Sequence, residues 1–290
     1  MHKLFSKMVI VGENLSDRVE ICNVKNDGAI VSMDILFYLI GKDPDNRIIA
    51  HVTARFRNDE LRFIKESYEK LLNGESGNFG FASINKDLCI WANSDLYHEI
   101  DIQDDKIASH CNLYFTPNIP SLHLLCKEID NLLSGYNHCN SIKPIEDNVP
   151  SVTFPKITEY VSNDLVVYVT EIALPHVLMR QVSDSNIADI KDIKTKAERL
   201  KTGELSSFNH TGEFYDIDFI RTGNGIMMQG TFSDFSSPDE NEVEFQVETN
   251  SGILDKMIES LGNIVRQNQG DRFLIPAEME TWGFLRQNQG

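Results

Sequence analysis

The side chains in this sequence best suited to chemistry are soft metal ligands and carboxylates. His110-Cys111, His123-x-x-Cys126 and His138-Cys139 crowd imidazoles and thiols into 30 residues, and these are donors that zinc accepts in a tetrahedral site. Two segments, "EIDIQDD" (99–105) and "EFYDIDF" (213–219), carry closely spaced carboxylates of the kind that general acid–base catalysis uses. A third, "FSDFSSPDENEVEFQVE" (232–248), is the densest acidic run, with Asp234, Asp239, Glu240, Glu242, Glu244 and Glu248.

Each group also has a structural explanation. Cys126 falls in the apolar stripe of a predicted helix with His123 beside it, and there is no paired Cys-x-x-Cys knuckle. Packing cysteines and surface histidines are therefore expected, with no metal and no cofactor. On a strand, period two sends the intervening Ile, Tyr and Phe inward and the carboxylates to solvent. "VIVGENLS" has one glycine and no Gly-Lys-Ser/Thr, so it lacks a phosphate loop. "TGNGIMMQG" sits between predicted strands and does not open a helix as a dinucleotide site would. Neither a Gly-x-Ser-x-Gly elbow nor His-Glu-x-x-His occurs. A non-enzymatic protein is expected.

What remains is charge. The net charge is −17, from 27 Lys and Arg against 44 Asp and Glu. Residues 1–145 contribute −5 and residues 146–290 contribute −12. A field of this sign repels phosphate backbones and speeds encounter with basic surfaces. Direct nucleic-acid binding is disfavoured, and a basic protein partner is expected at Glu99, Asp101, Asp104, Asp105, Asp234, Asp239, Glu240, Glu242 and Glu244. A purely solubilising surface is the competing explanation.

Composition is that of a globular chain, 41% hydrophobic and 24% charged. No apolar run approaches the ~20 residues that a bilayer span needs. The first residues, "MHKLFSKMVIVG", lack the apolar length and cleavage site of a signal peptide. Five irregularly spaced cysteines, Cys22, Cys89, Cys111, Cys126 and Cys139, read as free thiols. A cytoplasmic protein that neither enters nor binds a membrane is expected.

The elements that must position these residues occur twice. Shifting by 132 residues aligns Asn118 with Asn250, Leu122 with Leu254, Leu125 with Met257, Cys126 with Ile258, Ile129 with Leu261 and Leu132 with Ile264. Both copies carry the i, i+3, i+4, i+7 stripe of an amphipathic helix, with an asparagine placed to cap its first turn. Upstream, "NDELRFIKESYEKLLNGES" (58–76) and "IADIKDIKTKAERLKTGEL" (187–205) align at a shift of 129, and each stops at Gly-Glu. Alternating strands lie between and before the helices, with "TGNG" (222–225) as a hairpin signal. The expected fold class is α+β: two homologous units, each an antiparallel sheet with two helices in the order strands, helix, strands, helix. The expected boundaries are 1–133 for the first unit, 134–163 for a Pro-, Ser- and Asn-rich linker, 164–265 for the second unit and 266–290 for an extension.

The first copy resembles a known family. Leu61, Leu71, Leu72 and Gly74, then the strand "LCIWAN", then Asp95-x-x-His98 leading a strand, then a helix with Leu122, Leu125, Ile129, Leu132 and Leu133 are similar in order to the small WapI-like immunity proteins of bacterial polymorphic toxin systems. The likeness covers residues 8–133. In that family the segment near His98 reads Asp-x-x-Gly-His; Tyr97 stands in place of the glycine here, so no special role passes to His98. The resemblance implies a protein that binds and blocks a toxin, often a nuclease, of the same cell. A related inhibitor carried by a phage or mobile element fits equally. The alternatives are a zinc-binding or hydrolytic enzyme with a site between the units, and a module that self-assembles through strand edges or through Trp282 and Phe284.

Overall fold

Strand alternation and helical stripes partition the chain as their periods require. The computed structural model describes residues 8–41, 45–75, 77–104, 109–135, 150–161, 164–234 and 241–269. Four strands, β1 (Met8–Val11), β2 (Arg18–Asn26), β3 (Ile30–Ile40) and β4 (Arg47–Arg57), lead into helix α1 (Asn58–Leu72). Four more, β5 (Phe79–Ala82), β6 (Leu88–Ala92), β7 (His98–Asp104) and β8 (Ser109–Phe115), lead into α2 (Ile119–Leu133). The pattern continues with β9 (Ser151–Tyr160), β10 (Leu165–Leu174), β11 (Val177–Asn186) and α3 (Ile187–Thr202). It ends with β12 (Ser207–Thr211), β13 (Tyr215–Arg221), β14 (Ile226–Asp234), β15 (Asn241–Thr249) and α4 (Gly252–Gln269). The fold is α+β, with two antiparallel sheets and four helices among the described residues.

The sheets do not divide as the sequence suggested. One runs β1-β2-β3-β4-β11-β10-β9 and the other β12-β13-β14-β15-β8-β7-β6-β5, so each half of the chain gives strands to both. The expectation of one sheet per unit is corrected: β4 pairs with β11 (Ala50 opposite Val177, Ile48 opposite Met179), and β8 pairs with β15 (Asn112 opposite Glu242, His110 opposite Glu244). Two separate units would leave these strands as open edges, with unpaired backbone groups free to recruit other chains. Joining them removes two edges from each pair of half-sheets. At the second seam the Tyr114 N–H donates to Asn241 Oδ1 at 2.9 Å, which holds the seam where direct strand pairing stops.

Residues 151–160, placed by composition in a linker, form edge strand β9. Pro155 cannot donate to a ladder, so it fits only an edge or a bulge. It has both: the β9–β10 register shifts between Val169 and Glu171, opposite Lys156 and Thr153. Val152 and Phe154 still point into the core.

The buried faces of both sheets and the stripes of all four helices meet in one continuous core. α1 buries Leu61, Ile64 and Tyr68 against α2, which buries Leu122, Leu125, Ile129 and Leu132; α3 packs on α4 in the same way. The helix ends follow their sequence signals. Asn118 Oδ1 accepts the Ser121 N–H at 2.9 Å, and Gly203 takes a left-handed φ of 85° to end α3. No described helix is long and apolar enough to cross a membrane.

Gly230 gives a direct test of the β13–β14 pairing. A Cβ there would lie 2.0 Å from the Asp216 carbonyl oxygen, a backbone atom that cannot swing away. Gly230→Ala is expected to cost about 3 kcal/mol in denaturant unfolding through strain in a packed sheet. Gly223→Ala, in the neighbouring hairpin where a Cβ meets nothing within 4 Å, should stay close to wild type. Equal midpoints for the two variants would contradict this register.

Candidate partner-binding face

The carboxylates expected to act together come from strands far apart in sequence, and the β8–β15 seam brings them onto one surface. In the eight-stranded sheet Val243, Phe245 and Val247 of β15, Cys111, Leu113 and Phe115 of β8, and Ile100 and Ile102 of β7 are buried. Period two therefore sends Glu242, Glu244 and Glu248, then His110, Asn112 and Tyr114, then Glu99, Asp101 and Gln103 to the opposite face. The register sets them in rows: Glu242 beside Asn112 beside Asp101, and Glu244 beside His110 beside Gln103. β13 extends the second row through β14, with Asp216 opposite Thr231 and Thr231 opposite Glu244.

Seven carboxylates, Glu99, Asp101, Asp216, Asp218, Glu242, Glu244 and Glu248, share this outer face. Among the described residues at its outward strand positions there is no lysine or arginine. The local partners are neutral or titratable. His110 Nε2 lies 2.8 Å from Asp101 Oδ1, Asn209 Nδ2 donates to Asp216 and Asp218, and Thr222 Oγ1 donates to Glu248 at 2.8 Å. Neighbouring strands stand about 5 Å apart and alternate residues of one strand about 7 Å apart. Like charges at those spacings raise the free energy of the isolated chain and are relieved when a cationic surface covers them.

The individual expectations fall into three groups. Glu99, Asp101, Glu242 and Glu244 stand together on this face. Asp104 and Asp234 close β7 and β14, opposite Ser109 and Asn241. Asp105, Asp239 and Glu240 lie outside the described residues, as do His138, Cys139, Trp282 and Phe284. Asp216 and Asp218 belong to a segment singled out only for acid–base chemistry, yet the register makes them part of the acidic face. Three aromatic residues at its β5–β8 end were also missed: Trp91, 46% exposed, and Tyr97 stacked on Tyr114 with ring centroids 5.5 Å apart. Alternation within "LCIWAN" carried the signal for Trp91, because burying Leu88 turns Cys89 and Trp91 outward.

The histidines and thiols have separate environments. Cys111 and Cys126 are core residues, and burial pushes their thiols up to about 12 and about 11 respectively, so both are poor nucleophiles. His123 is exposed on α2. Among the described residues no three His, Cys, Asp or Glu side chains converge as a metal site would require. Cys22, Cys89, Cys111 and Cys126 are free thiols.

His98 is an internal strut. Its Nδ1 lies 2.7 Å from the Leu96 carbonyl, which can only accept, so Nδ1 carries the hydrogen; Nε2 then accepts from the Tyr68 hydroxyl at 2.7 Å. The two rings stack, tying α1 to β7 beneath the acidic face. Burial lowers the His98 pKa to about 4 and keeps the ring neutral.

No family model matches the chain, and no curated protein does either.

Proposed function

We propose that this chain is a non-enzymatic inhibitor that neutralises a basic protein, an immunity protein or comparable inhibitor acting on a cationic toxin or nuclease. The observation that carries this reading is the acidic sheet face, assembled from both halves and free of lysine and arginine at its described outward strand positions. A nuclease must present positive charge to hold its substrate. A complementary acidic face raises the encounter rate and disfavours other partners, and exposed Trp91 with half-buried Tyr97 and Tyr114 at its end supply anchoring contact area.

The resemblance of residues 8–133 to WapI-like immunity proteins agrees with this reading. We take the chain as a tandem-duplicated form of that family, with two homologous units. The series of strands, helix, strands and helix that occurs twice supports the duplication. In this view duplication enlarged the surface by fusing the sheets edge to edge, and the docking face straddles the fusion.

The reading is tested by expressing the neighbouring open reading frame with and without this protein and counting survivors. Protection, together with a stable complex on a sizing column, is expected. Failure of both would overturn the reading. Acidic steering further predicts that the association rate falls at least several-fold as the screening length shrinks from about 30 Å to about 8 Å between low and physiological salt.

A further inference from the structure

The end of the acidic face has a shape of its own. In the β5–β8 half of the sheet, Gly80, Trp91, Glu99 and Tyr114 stand side by side on four successive strands. In the register Glu99 therefore lies between Trp91 and Tyr114. Gly80 makes room for the indole: a Cβ there would lie 2.7 Å from Trp91 Cδ1 and 3.0 Å from Nε1, so Trp91 rests directly over the glycine. Tyr97 stacks on Tyr114 with an interplanar angle of 22°. Its approach is set by Asn93, whose Oδ1 accepts the N–H groups of Asp95 and Tyr97 at 2.9 and 3.0 Å, and by Leu96, whose φ is 63°. Asn78, Gly80, Trp91, Asn93, Tyr97 and Glu99 enclose an open hollow of about 460 Å³.

We infer that this hollow is the socket for one arginine side chain of the cationic partner; the inference rests on the function proposed above and names the group its surface grips. Aromatic rings draw a cation to their faces, and a guanidinium, being planar and weakly hydrated, stacks there better than an ammonium. Glu99 lines the same hollow as Trp91 and Tyr97, and its carboxylate can take two parallel N–H donors of the same guanidinium. A lysine would gain the charge contact but not the stacking or the paired hydrogen bonds.

The test uses the full-length chain carrying Trp282→Phe, which leaves Trp91 as the sole tryptophan of the two present. The probe is the blocked peptide acetyl-Gly-Arg-Gly-amide, followed by Trp91 fluorescence, with citrulline and lysine counterparts. Saturable binding on the order of millimolar is expected for the arginine peptide. Binding should be about five-fold or more weaker for citrulline, intermediate for lysine, and weakened to a similar degree by Glu99→Gln. No saturable change, equal binding of citrulline, or undiminished binding to the Glu99→Gln chain would each overturn the socket. The two readings fail separately. If the peptide does not bind while co-expression protects, the socket falls and the inhibitor reading stands. If the peptide binds as described and co-expression neither protects nor yields a complex, the inhibitor reading falls and the socket stands.

Discussion

Acidifying from about pH 7.5 to about pH 5 is expected to remove roughly 4 kcal/mol of unfolding free energy, divided about equally between two buried histidines. His98 is held between Leu96 and Tyr68, and His210 lies in the other half with Nε2 2.9 Å from the Tyr215 hydroxyl. Burial lowers both pKa values from 6.5 to about 4, with the charge of Lys196 adding to the effect at His210. In this window the unfolded chain binds protons that the folded chain does not. The stabilisation is therefore complete above the unfolded value of 6.5 and is lost as pH falls through 6.5 toward 4. Asp34, where burial raises the pKa but hydrogen bonds from Asn23 and Thr53 and the imidazole of His51 at 3.4 Å outweigh it and pull it down to about 2, adds its own loss only below its ordinary 3.8. Denaturant midpoints at the two pH values measure the effect. His98→Phe, which removes one titrating ring, should halve the pH dependence; stability that stays flat between the two pH values would refute this account of both histidines.

The second large effect concerns the acidic face. Replacing Glu242 and Glu244 with lysine changes the charge of one strand by four units at the centre of the surface, beside His110 and Asn112. Both residues are exposed, and their inward neighbours Val243 and Phe245 are untouched, so the thermal midpoint should barely move. Association with the proposed basic partner should slow by roughly 10- to 100-fold at low ionic strength. Added salt should slow the wild-type chain toward the variant, because the difference is carried by screened charge. Reversal at Asp189 and Asp192 of α3, away from this face, should change the rate far less.

Local elements were legible in the sequence to the extent that period and punctuation define them. The stripes of α1 to α4, the stops at Gly74 and Gly203 and the Asn118 cap all follow from side chains acting within a few residues. Strand partnership was not legible. Alternation says which way Glu244 points but not that His110 lies beside it, because pairing depends on backbone groups that every residue carries. Thus the two acidic segments were found separately, and their union across the β8–β15 seam emerged only from the register. β9 was hidden by the composition around Pro155, and β12 by its brevity, with only Phe208 and His210 turned inward. Trp91 could have been picked out as an aromatic residue at an outward strand position, but the glycine beneath it belongs to the neighbouring strand.

Carboxylate footprinting of the complex with the proposed basic partner tests the proposed docking face most directly. Free and bound chains are labelled with a carbodiimide and a neutral amine, and each Asp and Glu is quantified by mass spectrometry. Glu99, Glu242 and Glu244 should label readily in the free chain and become protected together in the complex, while Glu66 on α1 and Glu259 on α4 stay unchanged. Undiminished labelling of the three sheet residues, with protection moving to the helices, would contradict the acidic sheet face as the surface that holds the partner.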